Sequence, residues 1–177
     1  MAARRLLSRI RAGLLDRGLA DGRWTFDHIG STAVPGLRAK PFVDVQIRVV
    51  SLPAEGSPAD DVFRQAGFLP ARGSRPDSPG VFRDEVREYG IAPAEAYRKR
   101  LFVRPDPVEP AIAHVRLLGS PWWAETVRFR DVLRADPAAR RACEEMKSRA
   151  AEAHSGDADY DDYTRSKSVF FDRLRGR

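Results

Sequence analysis

The sequence predicts an α+β domain, a mixed sheet flanked by helices and followed by a helical C-terminal segment. Three observations predict it. Stretches with period-two alternation or β-branched residues recur at 24–29, 41–50, 98–104 and 111–118. Helical spacing of apolar residues separates them at 4–19 and 57–65. From Pro121 onward the pattern is helical. One domain of 177 residues is long enough to bury a core. Its first part, 1–118, mixes strands with helices, and its second, 119–177, is helical.

The elements follow in chain order. Leu6, Leu7, Ile10, Leu14 and Leu15 give 4–19 an apolar stripe beneath an arginine-rich outer face, and Asp21-Gly22 ends the helix. "WTFDHI" alternates as a strand, and "PFVDVQIRVV" is the clearest strand in the chain. Ser57-Pro58 opens a helix that runs to about Gln65. "GFLPARG" is a short strand, 70–80 a Gly/Pro/Ser-rich mobile loop, and 81–97 is ambiguous. "RKRLFVR" and "AIAHVRLL" are strands joined by "PDPVEP", an antiparallel connection. Helices are expected near 121–135, 137–153 and 159–174, with His154 as a solvated helix end.

Composition narrows the function classes. Hydrophobic residues make up 42% and charged residues 32%, a balance that excludes global disorder. No apolar run reaches membrane-spanning length, and Arg9 and Arg11 break up the basic N-terminus, so it has no secretory core. Cys143 is the only cysteine, which excludes an internal disulfide and a cysteine-rich zinc site. A cytoplasmic location is expected. The net charge of +6 is spread along the chain, so it fits a solvated surface or an anionic ligand without choosing among anions.

The stretch "HIGSTAVPGLRAKPFVDV" carries the chemistry. Gly30 lets the chain turn sharply after the strand, and Ser31 and Thr32 add hydroxyls and backbone N–H groups, a turn suited to phosphate. Lys40 brings a cation to the next strand. Alternation there puts Val43, Val45 and Ile47 on one face and Asp44, Gln46 and Arg48 on the other. The polar triplet reads as a metal-and-phosphate surface, or simply as the solvated face of a half-exposed strand. His28 and His114 would supply acid–base groups if they met in one cleft, and otherwise are polar residues bonded to carbonyls. Val127, Phe129 and Leu133 form a packed stripe that leaves Arg130 to reach a cleft or to pair with Asp131. Tyr163 and Lys167 share a helical face and could join Lys40 on an anion. Trp122 and Trp123 are expected to anchor the helical segment to the sheet.

"HIGS" is similar to the HIGH motif of adenylate-forming synthetases, but that motif opens a helix, and here Pro35-Gly36 and then a strand follow. The stronger resemblance is to the GrpB-like family, a branch of the nucleotidyltransferase superfamily that also occurs fused to dephospho-CoA kinase. It continues through "HV" at 114–115, "GSPWW", "FRDVLRADP" and "YTRSKSVFF". It implies a polymerase-β-type sheet on which Gly30 and Ser31 hold a nucleoside triphosphate. Asp44 falls on the first Mg²⁺-binding carboxylate, and Gln46 stands where a second acid would be. The third strand offers His114 and Arg116 but no acid. Either one metal is used, or Glu109 or another acid is recruited, or the protein does not perform metal-dependent nucleotidyl transfer.

The resulting expectation is a nucleotidyltransferase-like enzyme acting on a nucleotide or other phosphorylated small molecule with a divalent metal. The catalytic residues would be Asp44, His28 and His114. The ligand would be bound by Gly30, Ser31, Thr32, Lys40, Arg130, Tyr163 and Lys167. A non-catalytic nucleotide-binding module and a biosynthetic enzyme reusing the fold for another condensation are the alternatives. No membrane partner is expected. Nucleic acid stays open on charge alone, since no aromatic-basic stacking motif supports it.

Overall fold

A computed structural model of the chain describes residues 2–73, 78, 80–86, 92–154, 156, 170 and 172. The elements are α1 (Ala2–Leu15), β1 (Thr25–Ile29), β2 (Val43–Val49), α2 (Pro58–Gln65), β3 (Leu69–Pro70), β4 (Lys99–Arg104), β5 (Ala111–Leu117), α3 (Pro121–Ala135) and α4 (Pro137–Ala153). Short 3-10 turns occupy Ser31–Ala33 and Ala94–Tyr97. The expected helix at 159–174, with Tyr163 and Lys167, lies outside the described residues apart from Phe170 and Asp172. Of the expected loop at 70–80, residues 74–77 and 79 lie outside them as well. The ambiguous stretch resolves in part: Arg83 bridges Arg98, and Asp84 N–H donates to the Tyr97 carbonyl at 2.8 Å, which extends the β4 edge.

The five strands form one sheet in the order β1-β2-β5-β4-β3. β2 and β5 are parallel, and every other pair is antiparallel, including the expected β4–β5 hairpin. The parallel pair is separated in sequence by α2, β3 and β4, so β5 inserts at the centre rather than at an edge.

Alternation gives the sheet two unlike faces. On one, Val45, Ile47 and Val49 of β2 join Ala113 and Val115 of β5 and Phe102 of β4. Leu6, Ile10 and Leu14 of α1 and Val62 and Phe63 of α2 close over them. Phe63 stacks on Phe102 with ring centroids 4.3 Å apart. Ser57 caps α2 by accepting from Asp60 N–H, as the Ser-Pro start predicts. On the other face the strands carry Asp27, Asp44, Gln46, Arg48, Lys99, His114 and Arg116, and α3 lies across them.

A second apolar cluster sits beside the sheet. Val34 and Leu37 of the 30–40 connection pack with Phe129 and Leu133 of α3 and Ala139 and Cys143 of α4. Of the expected α3 stripe, Phe129 and Leu133 are buried and Val127 is half-buried. Trp123 Nε1 donates to Asp27 Oδ2 at 3.0 Å and its ring lies under the Arg48 guanidinium, so it anchors α3 to the sheet as expected.

Candidate functional site

The Gly–Ser turn and Asp44 meet at the C-terminal end of β1. Gly30 has φ 70° and ψ −171°, a conformation costly for any residue with a side chain. A Cβ at this position would come within 2.9 Å of Asp44 Cβ and would strike its carboxylate. Glycine is thus required twice, once by the backbone and once by the carboxylate laid against it. The chain then enters the 3-10 turn Ser31–Ala33, directly after the Gly30–Asp44 contact. The Asp44 side chain is 28% exposed, open enough to meet a ligand.

Gln46 is placed differently from the expectation that it would line the same open cleft. It is fully buried. Its Oε1 accepts from Arg116 Nη1 at 2.9 Å and from Thr126 Oγ1 at 2.7 Å, while its Nε2 donates to the Trp123 carbonyl at 3.2 Å. The amide needs both a donor and an acceptor here, which a carboxylate could not provide. Gln46 therefore joins β2 to α3.

His28 and His114 also part company. Cross-strand pairing sets His28 opposite Val45, on the face covered by α1. His114 stands opposite Gln46, on the polar face with Asp44. The two rings do not share one cleft. His28 Nε2 lies 3.0 Å from Thr32 Oγ1 and so supports the Gly–Ser turn from behind. Burial lowers its pKa, helped by Arg134 and opposed by Asp44.

His114 belongs to a chain of charges that the sequence reading did not contain. Its Nε2 lies 3.7 Å from Asp44 Oδ1, and its Nδ1 lies 3.3 Å from Lys99 Nζ. Lys99 donates to Asp84 Oδ1 at 2.8 Å, and Arg116 Nε donates to Asp84 Oδ2 at 2.7 Å. Lys99, Asp84 and Arg116 are all buried. Burial works against the Asp84 carboxylate, but Arg116 and Lys99 more than offset it and hold its pKa well below the usual range. Desolvation brings Lys99 down to about 8 despite Asp84. Desolvation, and then the Lys99 ammonium, bring His114 down to about 4, against the pull of Asp44. The ring is thus neutral at pH 7. An ammonium only donates, so Nδ1 accepts and Nε2 carries the proton. Towards Asp44, His114 presents a hydrogen-bond donor.

The α3–α4 hairpin supplies the remaining groups. Arg130 pairs with Asp131, at 2.8 Å from Nε to Oδ1, and its Nη1 donates to the His28 carbonyl at 3.1 Å. Arg134 Nε donates to the Ala33 carbonyl at 2.9 Å, and Glu144 accepts from Arg38 N–H at 2.9 Å. Lys147 Nζ donates to Ser31 Oγ at 3.0 Å and also to the Arg38 carbonyl. Burial lowers its pKa, while Glu144 and Asp44 are among the groups that oppose the shift. Lys147 is the cation that meets the Ser31 hydroxyl, while Arg134 meets the turn's backbone. Lys40 is exposed on the connection into β2. Glu109, the acid considered for recruitment, instead pairs with Arg5 and accepts through its carbonyl from Arg104. Among the described residues no three His, Cys, Asp or Glu side chains form a metal-binding group. No helix among them is long and apolar enough to cross a membrane.

This fold and turn define a class of protein. The chain belongs to the GrpB protein family, whose match covers residues 1–177. It is 27% identical to glutamate-rich protein GrpB of Alkalihalophilus pseudofirmus, over 82% of this chain and 73% of that one. It is 33% identical to the dephospho-CoA kinase of Mycolicibacterium paratuberculosis over 96% of this chain, but spans only 41% of that protein's length. The fold is similar to the crystal structure of conserved protein GrpB from Enterococcus faecalis, with a TM-score of 0.62 and 21% identity, over 99% of this chain and 91% of that one.

Proposed function

We propose that the protein binds a nucleotide, or another phosphorylated small molecule, at the Gly30–Thr32 turn and transfers a nucleotidyl group with a divalent metal held at Asp44. One observation carries the reading: the Asp44 carboxylate is seated against Gly30, beside Ser31 and the Lys147 ammonium. Turn, carboxylate and cation are the three parts a metal–phosphate ligand requires. Mg²⁺ commonly uses one or two protein carboxylates and takes other oxygens from substrate phosphates and water, so Asp44 suits an ion that arrives with its ligand. Such an ion would neutralise phosphate charge. The chain's own groups would do the rest. Ser31 and Thr32 N–H and hydroxyl groups and Lys147 would hold the phosphates, with Lys40 at the approach. The His114 Nε2–H would donate to an oxygen near Asp44. The resemblance to nucleotidyltransferases and the kinase name of a relative support a nucleotide-related transferase.

The buried Gln46 favours a second reading. With no second carboxylate on β2, the site would hold a nucleotide without turning it over.

The test is thermal unfolding with ATP, with and without Mg²⁺. At a hundredfold excess over the dissociation constant, ATP–Mg²⁺ should stabilise the chain by about 2.7 kcal/mol. Asp44→Asn should keep the fold and abolish the Mg²⁺-dependent part. Stabilisation that ignores Mg²⁺ and Asp44 would sink the metal assignment. Pyrophosphate release separates transferase from binding module.

A further inference from the structure

The face of the sheet opposite Asp44 carries a second recess. A groove of about 440 Å³ runs between α1 and β1, within the range of small-molecule sites. Leu7 and Phe26 form its apolar part, and Arg4, Ser8, Arg11 and His28 its polar part. No acid lines it.

The arginines decide what it takes. Along α1 and just past it, Arg5 pairs with Glu109, Arg9 donates to the Gln65 carbonyl, and Arg17 donates to Gly13 and Gln65. Arg4 and Arg11, the two that flank the groove, make no hydrogen bond or ion pair with any described residue. They stand two helical turns apart on one face, roughly 10 Å along the axis, and their long arms can converge over Leu7 and Ser8. Two uncompensated guanidinium groups match a dianion better than a single carboxylate, and their planar forks match phosphate oxygens. The Phe26 ring and Leu7 beside them suit a flat apolar group. His28 closes one end and touches Thr32, so the groove backs directly onto the Gly–Ser turn.

We infer that this groove is a separate site for a phosphate monoester carrying an aromatic ring, with Arg4 and Arg11 on the phosphate and Phe26 and Leu7 against the ring. It does not depend on the Asp44 reading, because it lies on the other sheet face and uses other side chains.

The test is NMR titration of the full chain with adenosine 5′-monophosphate and, separately, with inorganic phosphate, both without divalent metal. AMP should move the His28 ring and the Arg4 and Arg11 side-chain resonances saturably. Arg4→Gln/Arg11→Gln should weaken AMP at least about tenfold, the loss expected from charge-assisted hydrogen bonds. Asp44→Asn should leave that affinity unchanged. Inorganic phosphate should bind at least about tenfold more weakly than AMP, since it lacks the ring. No saturable shift at these residues, or AMP affinity that falls with Asp44→Asn but not with the arginine changes, overturns the proposal. Equal affinity for AMP and inorganic phosphate overturns the aromatic part of it.

Discussion

Gly30 and Asp44 constrain each other: the turn requires a residue without a Cβ, and the carboxylate occupies the space a Cβ would take. That contact fixes Asp44 close to Ser31 before any ligand arrives. His114 is constrained from the other side, since Lys99 claims its Nδ1. The result is a ring that resists protonation, and this sets a pH signature. Between the ordinary histidine pKa of 6.5 and the folded value of about 4, the unfolded chain takes up a proton that the folded ring refuses. His114 therefore costs the fold stability as pH falls through that window, on the order of 3 kcal/mol in all, levelling off below the folded value. Urea unfolding across pH 4–7 checks this. The His114→Asn variant should show a flatter decline than the natural chain. Equal slopes would mean that His114 titrates normally.

At the scale of elements, the 30–40 connection is held by the α3–α4 hairpin rather than by the sheet alone. Arg134 and Glu144 bind its backbone, Lys147 binds both its backbone and the Ser31 hydroxyl, and Leu133 packs into the cluster containing Val34 and Leu37. Damage to the hairpin core should thus reach the site without touching it. Leu133→Ala is expected to cost about 2–5 kcal/mol and to speed amide exchange at 33–37 more than in β2. Exchange that rises equally in both segments would show that the connection does not depend on the hairpin.

Over the whole molecule, the sheet separates an apolar face from a charged one, and the charged face is knitted across several segments. Asp84 sits where they meet, accepting from Lys99 of β4 and from Arg116 of β5, which in turn donates to Gln46 of β2 under α3. Removing its charge takes from two buried cations the carboxylate they share. Asp84→Asn should therefore destabilise the whole fold by about 3–5 kcal/mol in urea unfolding. A loss under about 1 kcal/mol would show that the cations find water or rearrange.

Local chemistry determined much of this protein. The alternation in "VDVQIRV" placed Asp44 and Gln46 together on one face, and the core is that of the other face. The spacing of Leu6, Ile10 and Leu14 set which side of α1 is buried, and Pro121 and Pro137 mark where α3 and α4 begin. These are consequences of periodicity and fixed backbone angles, which act over a few residues. Tertiary structure decided the rest, because it depends on pairing between distant segments. Which strand β1 lies beside depends on its pairing with β2, whereas the side His28 faces, with Trp24 and Phe26 and away from His114, already follows from the alternation of "WTFDHI" and "AIAHVRLL". Lys99 reads as one more basic residue in "RKRLFVR", and Asp84 lies in a stretch without periodicity. Lys147 borders the apolar stripe of Ala139, Cys143 and Ala150 on α4, a position that hints at partial burial but not at Ser31 as its partner. Whether a polar residue binds a ligand or braces the fold depends on what the folded chain places above it, as the α3 backbone placed over Gln46 shows.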